Sequence, residues 1–224
     1  PLVDQQRAAN EIALVNTESG EVTYGIKSLF KIIGHAIPFF KPLFAFRPFI
    51  WLMTKIYAFI SYNRKVIIPA VTKPNAVQPS FKLNYRIAYL LFTWFLTAFM
   101  LTKYAYLLTD FVPLGGNYRE YFICGGQIVF QGFLINIYKK EKLWDYLGHM
   151  MTISFAGSLM LIAGLVINQL FNLNPIFYIL YFLMVAGLMF LEHIRRSKIL
   201  KLGWLMSITW VLYRLVVLAL IFTA

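Results

Sequence analysis

Acidic residues and cysteine are what this sequence has least of. Only 9 of its 224 residues are Asp or Glu, and none falls between Glu21 and Asp110. Charged residues make up 13% of the chain, about half the share of an ordinary water-soluble domain, and that excludes the commonest class of globular protein. The single cysteine, Cys124, excludes an intrachain disulfide framework, a Cys-x-x-Cys redox pair and a multi-cysteine metal site. There is no P-loop, dinucleotide fingerprint, nucleophile elbow, HExxH or Ser/His/Asp grouping, so no cofactor or metal is expected from a motif. Internal repeats and low-complexity tracts are absent as well. The first residue is Pro1, not Met, and the opening stretch lacks the apolar core and cleavage site of a signal peptide. The native start is therefore expected upstream of Pro1.

What the chain has instead is apolar bulk and positive charge. Hydrophobic residues make up 60% and aromatics 18%, and 21 Lys and Arg give a net charge of +12. A bilayer core needs about 20 apolar residues per helix. Five runs qualify, at 87–108, 121–138, 143–170, 175–191 and 202–223. The connections at 109–120, 139–142, 171–174 and 192–201 are short enough to force neighbouring helices antiparallel. Arg64, Lys65, Lys73, Lys82 and Arg86 precede the first run; Lys139, Lys140 and Lys142 follow the second, and Arg195, Arg196, Lys198 and Lys201 the fourth. By the positive-inside rule these segments are cytoplasmic and the C-terminus lies outside. The expected location is an inner (plasma) membrane. Anionic lipid, rather than nucleic acid, is the partner that such a basic, apolar chain implies.

The first 85 residues read differently. Glu11-Ile-Ala-Leu-Val-Asn, Thr17-Glu-Ser-Gly and Glu21-Val-Thr-Tyr predict two short strands around a turn at Gly20, closed by Gly25. From Ile26 to Tyr62 the spacing predicts two or three amphipathic helices broken at Pro38, Pro42 and Pro48, too interrupted to span a bilayer. Lys27, Lys31, Lys41, Arg47 and Lys55 recur along them with aromatic residues between. That pattern suits either an anionic membrane surface or packing against the strands. The expected fold is thus mainly α: a small partial α+β segment over 1–65, an extended linker over 66–85 and a five-helix transmembrane bundle over 86–224.

Ser19-Gly20-Glu21-Val22, the following Tyr24-Gly25, and Tyr57-Ala-Phe-Ile-Ser-Tyr-Asn63-Arg64 resemble the second half of the DCC family of small, thioredoxin-like, predicted thiol-disulfide oxidoreductases. The resemblance covers roughly 10–68. It implies that the hairpin supplies the last two strands of a thioredoxin-like sheet with the basic helices packed on it. The defining Asp-x-x-Cys-x-x-Cys loop, in which one thiolate attacks and a second resolves, does not occur in this sequence. Cys124 cannot replace it, because it sits at the start of the second apolar run with no second thiol. Either the active half lies upstream or the scaffold persists without the activity, so enzyme status stays open.

Polar residues inside the apolar runs are functional candidates by default. Asp145 and His149 share a helix face, and Glu192 and His193 close the fourth run on the same side, so the four could converge on a metal, haem or quinone, or simply line the interface. Arg214 lies near the middle of the fifth run, with no acid at its depth. Its partner is another subunit, a lipid headgroup or an anionic ligand, or else backbone carbonyls and water. Cys124, Gly125, Gly126, Gln127, Gln131 and Gly132 form a small and polar face that predicts helix packing. Three function readings follow: a membrane-anchored DCC-like oxidoreductase, a non-enzymatic subunit of a larger membrane complex, and a haem, metal or quinone site at the polar cluster.

Overall fold

The computed structural model describes residues 3–69, 79–171 and 173–223, and helix dominates them. The chain divides into two compact units, Pro1–Arg86 and Ile87–Ala224.

In the first unit, α1 (Gln5–Ala8) is one turn, capped by the Asp4 carboxylate accepting from the amides of Gln6 and Arg7. Strands β1 (Ala13–Val15) and β2 (Val22–Tyr24) pair antiparallel with Leu14 opposite Thr23. The turn between them uses Gly20 at φ +70°, and Gly25 at φ +68° swings the chain into α2 (Ile26–Ala36). A Cβ at Gly25 would also stand 3.0 Å from a Glu11 carboxylate oxygen. A 3-10 turn at Pro38–Phe40 and the short α3 (Lys41–Ala45) lead to α4 (Arg47–Ile67).

Helix breaks fall at Ile37 and Phe46 rather than at each proline. Pro42 and Pro48 occupy the first positions of α3 and α4, where the missing N–H has no helical partner to lose. Pro38–Ala45 and Arg47–Ile67 are together long and apolar enough to cross a membrane, but they are bent by 91°. The expected interruptions are therefore two breaks, the second of them a sharp bend. Phe30 of α2 stacks on Phe44 at 4.4 Å and Phe49 at 5.7 Å between ring centroids, closing the corner. The stretch expected as a linker, 66–85, is helical at both edges, because α4 runs to Ile67 and α5 (Leu83–Ala105) begins at Leu83. Its middle, 70–78, lies outside the described residues.

The second unit contains α6 (Arg119–Lys139), α7 (Leu143–Leu170), α8 (Pro175–Ile199) and α9 (Leu205–Thr223) with most of α5. Among the described residues, four helical stretches are long and apolar enough to cross a membrane: Leu83–Leu108, Arg119–Leu170, Pro175–Ile199 and Leu205–Thr223. The second holds both α6 and α7, joined by a 3-10 turn at Lys140–Lys142. These two lie side by side, since the Tyr146 hydroxyl of α7 reaches the Gln131 side chain of α6 at 2.7 Å.

The last connection is shorter than the expected 192–201. Glu192 pairs with Arg195 and Arg196 three and four residues on, so α8 continues to Ile199. The chain turns through Lys201 at φ +57° and Gly203 at φ +67°. Only 11% of the most apolar window of α8 is buried, and 17% of that of α9. Their outward faces carry Leu180, Leu183, Leu188, Leu212 and Leu218, the pattern of helices that face lipid rather than water.

Candidate functional site

A helix satisfies most of its own backbone, so the polar side chains buried between apolar helices need partners on neighbouring ones. In the second unit they form a circuit through four helices. Gln131 of α6 donates to Thr209 of α9 at 3.3 Å and accepts from Tyr146 of α7 at 2.7 Å. The Tyr146 oxygen lies 3.1 Å from Nε2 of His193 on α8, and His193 Nδ1 lies 3.0 Å from Ser207 Oγ, back on α9. Because the Tyr146 proton is committed to Gln131, the imidazole proton belongs on Nε2, and Nδ1 accepts from Ser207. Trp210 stacks on the ring with centroids 5.3 Å apart. The circuit fixes the rotation of α6, α7, α8 and α9 relative to one another.

The four residues expected to converge are placed apart in role. Arg196 stands between His149 and Glu192: its Nη1 lies 3.2 Å from His149 Nδ1, while its Nε donates to Glu192 at 2.7 Å. His193 turns instead to Tyr146 and Ser207. Asp145 lies one turn before His149 on α7. A guanidinium against His149 Nδ1 opposes a metal cation there, and no group of three or more His, Cys, Asp or Glu among the described residues could hold a metal ion.

Glycines on α6 separate by what faces them. A Cβ on Gly126 would overlap the Tyr213 hydroxyl, which donates to the Ile123 carbonyl at 2.9 Å. One on Gly125 would come within 2.8 Å of Trp94, whose indole N–H donates to the Tyr121 carbonyl at 2.9 Å. One on Gly132 would meet Leu147 only at ordinary contact distance. Close approach by α5 and α9 thus depends on Gly125 and Gly126.

Arg214, at the midpoint of α9, lies against the Cys124 thiol. Among the described residues it has no carboxylate partner. It lines a chamber of about 10 Å³ with Cys124, Gln127, Thr97 and Ser154. Gln127 donates to the Trp210 carbonyl at 3.2 Å, but its Oε1 is buried without a partner, and so is Thr97 Oγ1. Thr97, Ser154 and Arg214 also line a cleft of about 600 Å³ between α5, α7, α8 and α9, whose other walls are almost wholly apolar.

Comparison of the chain with family models, with curated proteins and with solved structures finds no match. The site therefore stands on its own geometry. Tyr146, Ser207, Arg196, Tyr213 and Thr97 were not among the residues singled out from sequence. For Tyr146, Ser207, Tyr213 and Thr97 the signal is a polar side chain within an apolar helical run, and it is weak because Tyr, Ser and Thr also occur at lipid-facing positions; Arg196 reads only as one of the basic residues of a connection.

Proposed function

We propose that this chain is a multi-pass membrane protein of five spans, α5 to α9, whose preceding unit is the second half of a DCC-like, thioredoxin-like domain at the cytoplasmic membrane face. In this reading the protein passes electrons between dithiols, and the reactive Asp-x-x-Cys-x-x-Cys segment lies outside the 224 residues. The observation that carries it is that Tyr57 and Arg64, two of the residues behind the resemblance, tie α4 to the segment leading into the hairpin, while α2 is tied to β2 through Ser28. The Tyr57 hydroxyl accepts from the Ile12 amide at 2.8 Å, Ser28 donates to the Thr23 carbonyl at 2.7 Å, and Arg64 donates to the Ala9 carbonyl at 3.0 Å.

A two-stranded sheet with three residues per strand is marginal in water, and strands added beside it would supply what it lacks. Support for the membrane face comes from the exposed Phe39, Phe46, Trp51 and Ile56, interspersed with exposed Lys41, Arg47 and Lys55. The test is the complete reading frame followed by thiol trapping. An upstream Asp-x-x-Cys-x-x-Cys whose first cysteine, with the second changed to Ser, accumulates a mixed disulfide with a dithiol substrate is the expected result. A frame that starts at Pro1 without that segment overturns it.

A further inference from the structure

A guanidinium at the midpoint of an apolar helix is costly unless an anion meets it, and Arg214 is only partly exposed there. Arg214 shares its chamber with Cys124 and has no carboxylate partner among the described residues. Two further observations point to an occupant. Gln127 Oε1 and Thr97 Oγ1 have no hydrogen-bond partner although their residues are only 2% and 3% exposed. Both line the chamber that Arg214 lines. Next to it is the cleft of about 600 Å³, with Thr97, Ser154 and Arg214 in the walls of both. That volume lies within the range of about 300–1,000 Å³ typical of small-molecule sites. Leu101, Leu161, Val185 and Phe190 supply apolar wall, and the exposed Leu212 and Leu215 form a rim on the outer face of α9.

The chamber has room for about one water molecule. A water seated there would donate to Gln127 Oε1; Thr97 and Arg214, which line the cleft as well, are the polar groups that a larger occupant can reach. One cation among almost wholly apolar walls defines the ligand: a single long tail with one compact anionic head. A planar carboxylate matches the two-pronged guanidinium. A two-tailed phospholipid would have to draw a bulky hydrated headgroup to mid-helix and fit two chains where the cleft suits one.

We propose that the cleft between α5, α7, α8 and α9 binds one long-chain carboxylic acid in its ionised form, tail along the apolar walls and carboxylate on Arg214. The site is independent of the dithiol reading, since acyl-chain binding holds or fails whatever thiol trapping reports.

The test is equilibrium binding of radiolabelled palmitate to the full chain in detergent micelles, with hexadecanol and phosphatidylglycerol as competitors. One palmitate per chain is expected, displaced at least tenfold more effectively by unlabelled palmitate than by hexadecanol or phosphatidylglycerol. Arg214→Gln should weaken binding at least tenfold, and Arg214→Lys less. Ala186→Trp, which fills the cleft from α8 without touching the charge, should also weaken it at least tenfold. Thermal unfolding establishes that each variant is folded, and if Arg214→Gln does not fold, Ala186→Trp and the hexadecanol competition decide. Equal competition by hexadecanol, equal competition by phosphatidylglycerol, or unchanged binding by folded Arg214→Gln or Ala186→Trp overturns the proposal.

Discussion

The two units differ in where their side-chain hydrogen bonds form a connected set. In the unit ending at Arg86, side chains bond to backbone: Tyr57 to the Ile12 amide, Ser28 to the Thr23 carbonyl, Ser61 to the Asn10 carbonyl, Asn63 to the Tyr85 carbonyl. Strands of three residues leave backbone groups that a larger sheet would pair, and side chains take over that task. In the unit beginning at Ile87, Trp94, Gln127 and Tyr213 also bond to carbonyls, but the buried polar side chains add a circuit with one another, from Thr209 through Gln131, Tyr146 and His193 to Ser207. Polar residues in the first unit thus complete secondary structure. In the second they set the rotation of helices that hydrophobic burial alone would leave free to turn, because lipid is as apolar as leucine.

Substitutions can break or sharpen that contrast. Gly126→Val should have the largest effect, because its Cβ overlaps a Tyr213 ring already held by the Ile123 carbonyl and by stacking on Phe130 with centroids 5.5 Å apart. A loss of about 2–3 kcal/mol is expected from such overpacking. It is read as a lower midpoint of thermal unfolding in detergent, with Gly187→Ala as a control that meets nothing within 4 Å. If both glycines tolerate a side chain equally, helix approach at Gly126 does not hold the bundle together.

His193→Leu removes the link between Tyr146 and Ser207 and should cost about 2 kcal/mol, near the upper end for polar contacts in membrane bundles. An unchanged midpoint would show that the circuit is decoration. Tyr57→Phe should have the smallest effect, about 1 kcal/mol, seen as amide exchange at Ile12 faster by about fivefold. A Tyr57→Phe loss as large as that of His193→Leu would erase the distinction between completing a sheet and orienting a helix.

How much was legible follows the same division. The hairpin was readable because Gly20 and Gly25 punctuate an alternating run, and α7 begins and ends at the expected Leu143 and Leu170. The end of α8 was not legible, because a cluster of charges reads as a loop until Glu192 pairs along the helix with Arg195 and Arg196. Pro42 and Pro48 looked like breaks, yet each sits where a helix tolerates proline. In the polar cluster, a shared helix face put Asp145 with His149, but no spacing rule could reveal that Arg196 would stand between His149 and Glu192.

Composition and periodicity by themselves determined that the chain is mainly helical, with runs long enough to cross a bilayer after a basic, interrupted amino-terminal segment, because apolar length and helical period are local properties. The isolation of Arg214 from any acid at its depth was also visible there. Only the tertiary structure decided that Arg214 lines an apolar cleft beside the unpartnered Gln127 Oε1 and Thr97 Oγ1, and that His193 closes a circuit from α9 back to α9. Those facts depend on how each helix is rotated about its axis. That rotation is set by contacts between residues as far apart in sequence as Gly126 and Tyr213, which no window along the chain contains.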